Sequence, residues 1–178
     1  QLQTIAQQLE SVRKKADEAA LLPLASRDKN IKKDWETASN AGVDALVLIS
    51  RDLGVVARQV DPVIAELIDV KDFGYTVRSA AGLKRNAYTN AIRAGALSPE
   101  ERDKANLLQG ETNAAWPMLQ DLALREGADA RVRDAVARVQ KEYFDVIPTM
   151  ETQILTALTA NQPSPITADE WRSEERRV

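Results

Sequence analysis

The chain has 178 residues, a formal net charge of −3, and neither cysteine nor histidine. The lack of cysteine excludes disulfide scaffolds, thiolate metal sites and cysteine nucleophiles. The lack of histidine excludes Ser-His-Asp triads and histidine-based zinc catalysis. A slightly acidic chain is also a poor candidate for binding nucleic acid. We therefore expect no enzyme activity, catalytic residue, metal site, cofactor or nucleic-acid partner in this chain.

The composition favours helix throughout, because glycine, proline and aromatic residues are scarce and no segment alternates like a strand. An apolar stripe with a 3.6-residue period predicts a first helix from about Leu2 to Leu22, which Pro23 ends. A second helix begins near Ile31. We expect its inner stripe to run from Trp35 to Val56 and to include Leu53.

The third and fourth helices have the clearest boundary signals. The third is predicted from Pro62 to about Ala94, where Gly95 closes it. The segment from Ser98 to Glu101 then combines a serine N-cap, a proline at the first helical position and a glutamate at the third. This pattern predicts the start of a fourth helix, which extends to about Arg125.

A fifth helix is predicted from a cap at Asp129 to Leu158, with a kink at Pro148. Thr167 and Glu170 have the spacing of an N-terminal cap and predict a last short helix. The sequence thus predicts an all-α fold, an elongated antiparallel bundle of about four principal helices with short extra helical segments. We expect residues 1–178 to form a single domain.

The third helix has an unusual pair of cations. Arg78 and Arg85 are seven residues apart and share one helical face, beside small residues such as Gly74. Two guanidinium groups next to small residues leave space for a small anion held by forked hydrogen bonds. Tyr75 precedes the pair on the same side, and Asn86 follows it. Alternatively, the two arginines extend into water or pair with acids on neighbouring helices.

Two aromatic residues, Trp116 and Tyr143, are placed near prolines inside predicted helices, at Pro117 and Pro148. Buried aromatic residues of this kind usually belong to the core. Backbone groups freed by a proline can, however, line a cavity. Both interpretations remain open for these residues.

A set of short motifs follows Val70 in a fixed order. They are Arg78–Leu83 with Arg85, Ala96–Arg102, Gly110 with Ala115-Trp116 and Leu122, Tyr143-Phe144, and Pro165–Trp171. This ordered set resembles the helical extracytoplasmic ligand-binding domains of bacterial transmembrane receptors. Those receptors are sensor histidine kinases and methyl-accepting chemotaxis proteins, and their domains are distantly similar to nitrate- and nitrite-sensing helical domains.

The resemblance implies a periplasmic sensor domain of an inner-membrane signal-transduction protein. It implies a small anionic ligand contacted by Arg78 and Arg85. It also implies that Trp116, Tyr143 and Trp171 form pocket wall or framework. It further implies a homodimer formed through bundle helices and contact with the membrane only through spans outside this chain. The chain would then be a domain taken from between two transmembrane helices, and any kinase activity would belong to another domain. The alternative is a cytoplasmic helical protein-interaction module whose apolar groove accepts a partner helix.

Overall fold

The computed structural model describes residues 2–175, which contain α-helices and turns and no β-strand. The prediction of an all-α helical bundle is confirmed. Within this range, residues 2–65 and residues 66–175 form two compact units. The expectation of one domain over the whole chain stays a prediction. No helix in this range combines the length and apolar composition that crossing a membrane requires.

The N-terminal unit is a pair of helices, α1 (Leu2–Ala20) and α2 (Ile31–Ala57), that pack against each other. Between them, a 3-10 turn follows Pro23, as the proline predicts. The Arg27 guanidinium donates hydrogen bonds to the carbonyl oxygens of Ala20 and Leu22, at 3.1 and 3.0 Å. The bond to Ala20 satisfies a carbonyl group at the last residue of α1, which has no partner inside the helix, and the bond to Leu22 holds the turn that follows.

Much of the apolar surface of α2 remains exposed. Leu46 is 64% exposed and Leu53 65%, and Val60, just after the helix, is 75% exposed. The predicted inner stripe of α2 is therefore wrong at Trp35, Leu53 and Val56, which are all exposed. The physical reason is that two helices cover only one strip of each other's surface, so further apolar positions stay in water.

The C-terminal unit contains most of α3 (Pro62–Ala94), followed by α4 (Pro99–Leu124), α5 (Ala130–Val139), α6 (Ile147–Thr159) and α7 (Ala168–Glu175). Both predicted ends of α3 are confirmed. At the start of α4, the backbone N–H of Glu101 donates to the Ser98 hydroxyl at 3.2 Å, and the Glu101 carboxylate accepts from the backbone N–H of Ser98 at 3.0 Å. The predicted cap is therefore confirmed as a reciprocal capping box.

The predicted fifth helix is not continuous. A π-helical turn, Gln140–Phe144, follows α5, and α6 begins after it. Pro148 lies in the first turn of α6, where a missing N–H removes no helical hydrogen bond. The prediction of a kink at Pro148 is therefore wrong, because the interruption precedes the proline. Pro117 does lie inside α4.

The last helix is fixed to the third. Trp171 is fully buried, and its indole ring lies 5.5 Å from the Tyr88 ring, centroid to centroid. Its Nε1 donates to the carbonyl oxygen of Arg85 at 3.1 Å. The backbone N–H of Glu170 donates to the Thr167 hydroxyl at 3.2 Å, which confirms the predicted cap of α7. These contacts hold α7 against the part of α3 that carries the arginine pair.

Candidate ligand-binding site

A cavity of about 1060 Å³ lies within the C-terminal unit. Its walls come from α3, α4, α5 and the π-helical turn. All six residues that the sequence assigned to a ligand line this cavity: Tyr75, Arg78, Arg85, Asn86, Trp116 and Tyr143. The fold therefore brings together residues from three separate segments. Whether they contact a ligand stays a prediction.

On the α3 side of the cavity, Gly74 and Gly82 leave free space because neither carries a side chain. Both line the cavity, and a Cβ atom built on either one would meet no other heavy atom within 4 Å. Helical spacing places Arg78 one turn after Gly74, and Gly82 one turn after Arg78. The arginine therefore lies between two positions where the helix has no side chain to fill the space.

The two arginines of the pair differ in their surroundings. Arg78 is exposed, and its guanidinium has no hydrogen bond or ion pair within residues 2–175. Arg85 is half-buried. Its carbonyl oxygen accepts hydrogen bonds from Trp171 and from the Thr89 hydroxyl, at 3.1 and 2.9 Å. The guanidinium donors of Arg78 are thus available to a ligand, whereas the backbone of Arg85 is held by its hydrogen bonds to Trp171 and Thr89.

A third arginine lines the cavity at the start of α5. Asp129 accepts from the backbone N–H of Arg131 at 2.8 Å, as expected for the predicted cap. The Arg131 guanidinium also binds the Asp129 carboxylate, with its shortest contact at 2.7 Å. These bonds to Arg131 lower the pKa of Asp129 to about 2. Three arginines and one aspartate line the cavity, so its ionisable groups carry an excess of two formal positive charges in a chain of net charge −3.

Trp116 and Tyr143, which line the cavity, are held in place by contacts within the protein. The Trp116 ring stacks on Phe144 with centroids 4.2 Å apart, and Tyr143 meets the same ring edge-on at 5.1 Å. Trp116 Nε1 donates to the side-chain oxygen of Gln140 at 3.0 Å. Because this N–H is already bonded, Trp116 offers a ligand in the cavity no free hydrogen-bond donor. Trp116 belongs to the core and also lines the cavity, and its contact with a ligand stays a prediction.

Most of the remaining wall is apolar. Its branched aliphatic residues are Leu67, Val70, Val77 and Leu83 on α3, Leu119 on α4, and Val132, Val136 and Val139 on α5. These valines of α5 lie within the predicted fifth helix, whereas Arg131 was not among the predicted site residues. The signal that could have found Arg131 is its position next to Val132, within the first turn after the cap.

A second polar cluster, outside the cavity lining, was also missed. Lys84 on α3 and Glu151 on α6 are 3% and 9% exposed, and Lys84 Nζ lies 2.6 Å from Glu151 Oε1. Lys84 Nζ also donates to the side-chain oxygen of Gln109 on α4. Burial raises the pKa of Glu151, and the charge of Lys84 opposes that rise. Helical spacing places Lys84 on the same buried face of α3 as Val77 and Tyr88. A lysine at such a position is the sequence signal that could have revealed the ion pair.

Comparisons of the chain with protein-family models, with curated proteins and with solved structures find no match.

Proposed function

We propose that this chain is the periplasmic ligand-sensing domain of an inner-membrane signal-transduction protein, a sensor histidine kinase or a chemoreceptor. It binds a small anion and catalyses no reaction itself. The observation that carries the proposal is the cavity in the C-terminal unit. It is lined by the six residues expected at the ligand, and the Arg78 guanidinium in it has no partner among the described residues.

A route from the cavity to the last helix supports a signalling role. Arg85 lines the cavity, and its carbonyl oxygen accepts the indole N–H of Trp171 on α7. A ligand that favours one position of α3 therefore also acts on α7. Helix shifts of about 1–2 Å are sufficient for signalling at helical interfaces. In this proposal, α7 leads towards a membrane span outside this chain.

The exposed apolar face of α2 supports a homodimer. Leu46 and Leu53 are seven residues apart on α2, so they lie on one side of this helix. Contiguous exposed apolar surface commonly marks an interaction site. In the proposed receptor, this face contacts the same face of a second copy.

The test of the anion site is a thermal-shift screen with nitrate, formate, acetate and succinate on the wild-type chain and on Arg78→Ala and Arg85→Ala. A ligand that binds only the folded state raises the melting temperature. At about a hundred times its dissociation constant, it stabilises the fold by about 2.7 kcal/mol, which corresponds to roughly 5–10 °C for a chain of this size. We expect at least one anion to produce this shift, and both variants to lose it.

Arg93→Ala is the matched control, because Arg93 is an exposed arginine on the same helix that does not line the cavity. It should keep the anion response of the wild type. Loss of the response in this control as well would indicate a general charge effect and contradict the proposal. So would the failure of every anion, including the longer carboxylates tested below, to stabilise the wild-type chain.

A further inference from the structure

The apolar composition of the cavity wall restricts the class of ligand further than the positive charge of the cavity does. Beside Arg78, the wall carries eight leucine and valine side chains and the ring of Trp116. A small inorganic anion gains nothing from such a wall, because it must give up bound water without finding hydrogen-bond donors there. A hydrocarbon group gains affinity from the same wall, since each buried methylene strengthens binding roughly fourfold. The wall therefore favours a ligand with an apolar body.

The volume of the cavity also favours an organic ligand over a small inorganic ion. Pockets that hold organic ligands typically measure about 300–1,000 Å³, and this cavity reaches about 1060 Å³. A nitrate or formate ion fills only a small part of that space. The rest would remain in contact with water along aliphatic side chains such as Val132, Val136 and Val139. An organic molecule that extends from Arg78 along α5 would cover them.

The charges indicate one carboxylate rather than several. The Arg131 guanidinium is already bound to Asp129, with its shortest contact at 2.7 Å. Arg85 is half-buried and has an interaction within the protein. Arg78 is the arginine of the lining that has no partner among residues 2–175. One uncommitted guanidinium matches one carboxylate in a bidentate contact.

We infer that the ligand is an amphipathic monocarboxylate, with its carboxylate on Arg78 and its hydrocarbon chain or ring against the apolar wall of α5. This inference rests on the proposed anion site and names the class of molecule that the site takes.

The experiment is isothermal titration calorimetry of the wild-type chain with acetate, butanoate, hexanoate, nitrate and the neutral analogue hexanamide. We expect affinity to rise roughly fourfold for each added methylene until the wall is covered. Hexanoate should bind at least tenfold more tightly than hexanamide, because the amide cannot form the charged bidentate contact. In Arg78→Ala, this preference for the carboxylate should vanish, while the dependence on chain length remains.

Variants of the wall test where the hydrocarbon binds. Val136→Thr keeps the shape of the side chain but adds a hydroxyl, and it should weaken hexanoate more than acetate. Val146→Thr is the control, because Val146 lies outside the cavity lining. Gly74→Met projects a side chain into the cavity and should abolish binding, whereas Gly110→Met on α4 should not. Gly110 has similar open space at its Cβ position but does not line the cavity.

The outcomes separate this inference from the proposed function. If nitrate and acetate bind through Arg78 as tightly as hexanoate, the anion site stands and the amphipathic ligand is wrong. If hexanamide binds as tightly as hexanoate, the ligand binds without a charged contact to Arg78, and the inference is overturned. If Gly74→Met retains binding, the ligand binds outside this cavity, and the inference is likewise overturned. If no anion in either series binds, the proposed function and the inference fail together.

Discussion

At the scale of single residues, the ion pair between Lys84 and Glu151 is the most costly feature of the core. Removing two charges from water is expensive, and an apolar pair of similar volume is often as stable or more stable. The pair links α3 to α6, and Gln109 adds a contact to α4. Because burial outweighs the charge of Lys84, the pKa of Glu151 lies above its ordinary value. The charge of Lys84 therefore limits how far burial raises the pKa of Glu151.

We expect Lys84→Met to lower the free energy of unfolding by about 3–5 kcal/mol at pH 7, because it leaves the Glu151 carboxylate buried without a counterion. The loss should shrink as the pH falls, since a protonated Glu151 needs no counterion and its raised pKa makes the folded state bind that proton more tightly. The double variant Lys84→Met/Glu151→Leu should recover most of the loss. Urea unfolding across pH measures all three chains.

Lys104→Met is the matched control, since Lys104 is an exposed lysine on α4, and it should change stability by less than about 0.5 kcal/mol. A double variant as unstable as Lys84→Met would show that the ion pair itself contributes net stability, contrary to this account.

At the scale of helices, local signals predicted the boundaries well where a side chain acts on the nearby backbone. The cap at Ser98, the proline at Pro62 and the cap at Thr167 each operate within one helical turn, and the helices begin where they indicate. The interruption at Gln140–Phe144 could not be predicted in this way. The apolar spacing continues through it, and Gln140 in this turn accepts hydrogen bonds from Trp116 and Gln120 on α4, which are far away in sequence.

The cap of α4 is open to a direct test. Ser98→Ala removes the acceptor of the Glu101 N–H and should lower the free energy of unfolding by about 1 kcal/mol. Ser98→Asn supplies another side-chain oxygen at the same position and should recover most of that loss, because asparagine is an equally good N-cap residue. Urea denaturation of the three chains compares them. Equal destabilisation by both substitutions would mean that Ser98 contributes through packing and not through the cap.

At the scale of the whole molecule, helical spacing alone could place Tyr75, Arg78, Arg85 and Asn86 on neighbouring positions of one helix, because that geometry is local. It could not place Arg131 opposite them, since the position of α5 depends on packing between helices. It also could not show that Arg131 is bound to Asp129 while Arg78 has no partner among the described residues. The spacing therefore predicted an anion contact. Only the packing between helices shows that the guanidinium without a partner among the described residues is that of Arg78.

From the exposed apolar face of α2, we predict that the chain forms a dimer. Leu46 and Leu53 are both exposed by more than half, and burying them against a second copy would remove apolar surface from water. We expect the wild-type chain to sediment as a dimer in analytical ultracentrifugation. The double variant Leu46→Lys/Leu53→Lys should sediment as a monomer, because four lysines would meet across a symmetric interface and repel one another.

Leu107→Lys/Leu124→Lys is the matched control for that experiment. These leucines of α4 are 66% and 78% exposed, so the substitution adds the same charge to a similarly exposed apolar surface in the other unit. The control should remain a dimer, because the proposed contact lies on α2 alone. If both double variants dissociate, general repulsion rather than a specific face explains the loss. If the wild-type chain is a monomer at every concentration, the α2 face is not a dimer interface of this chain.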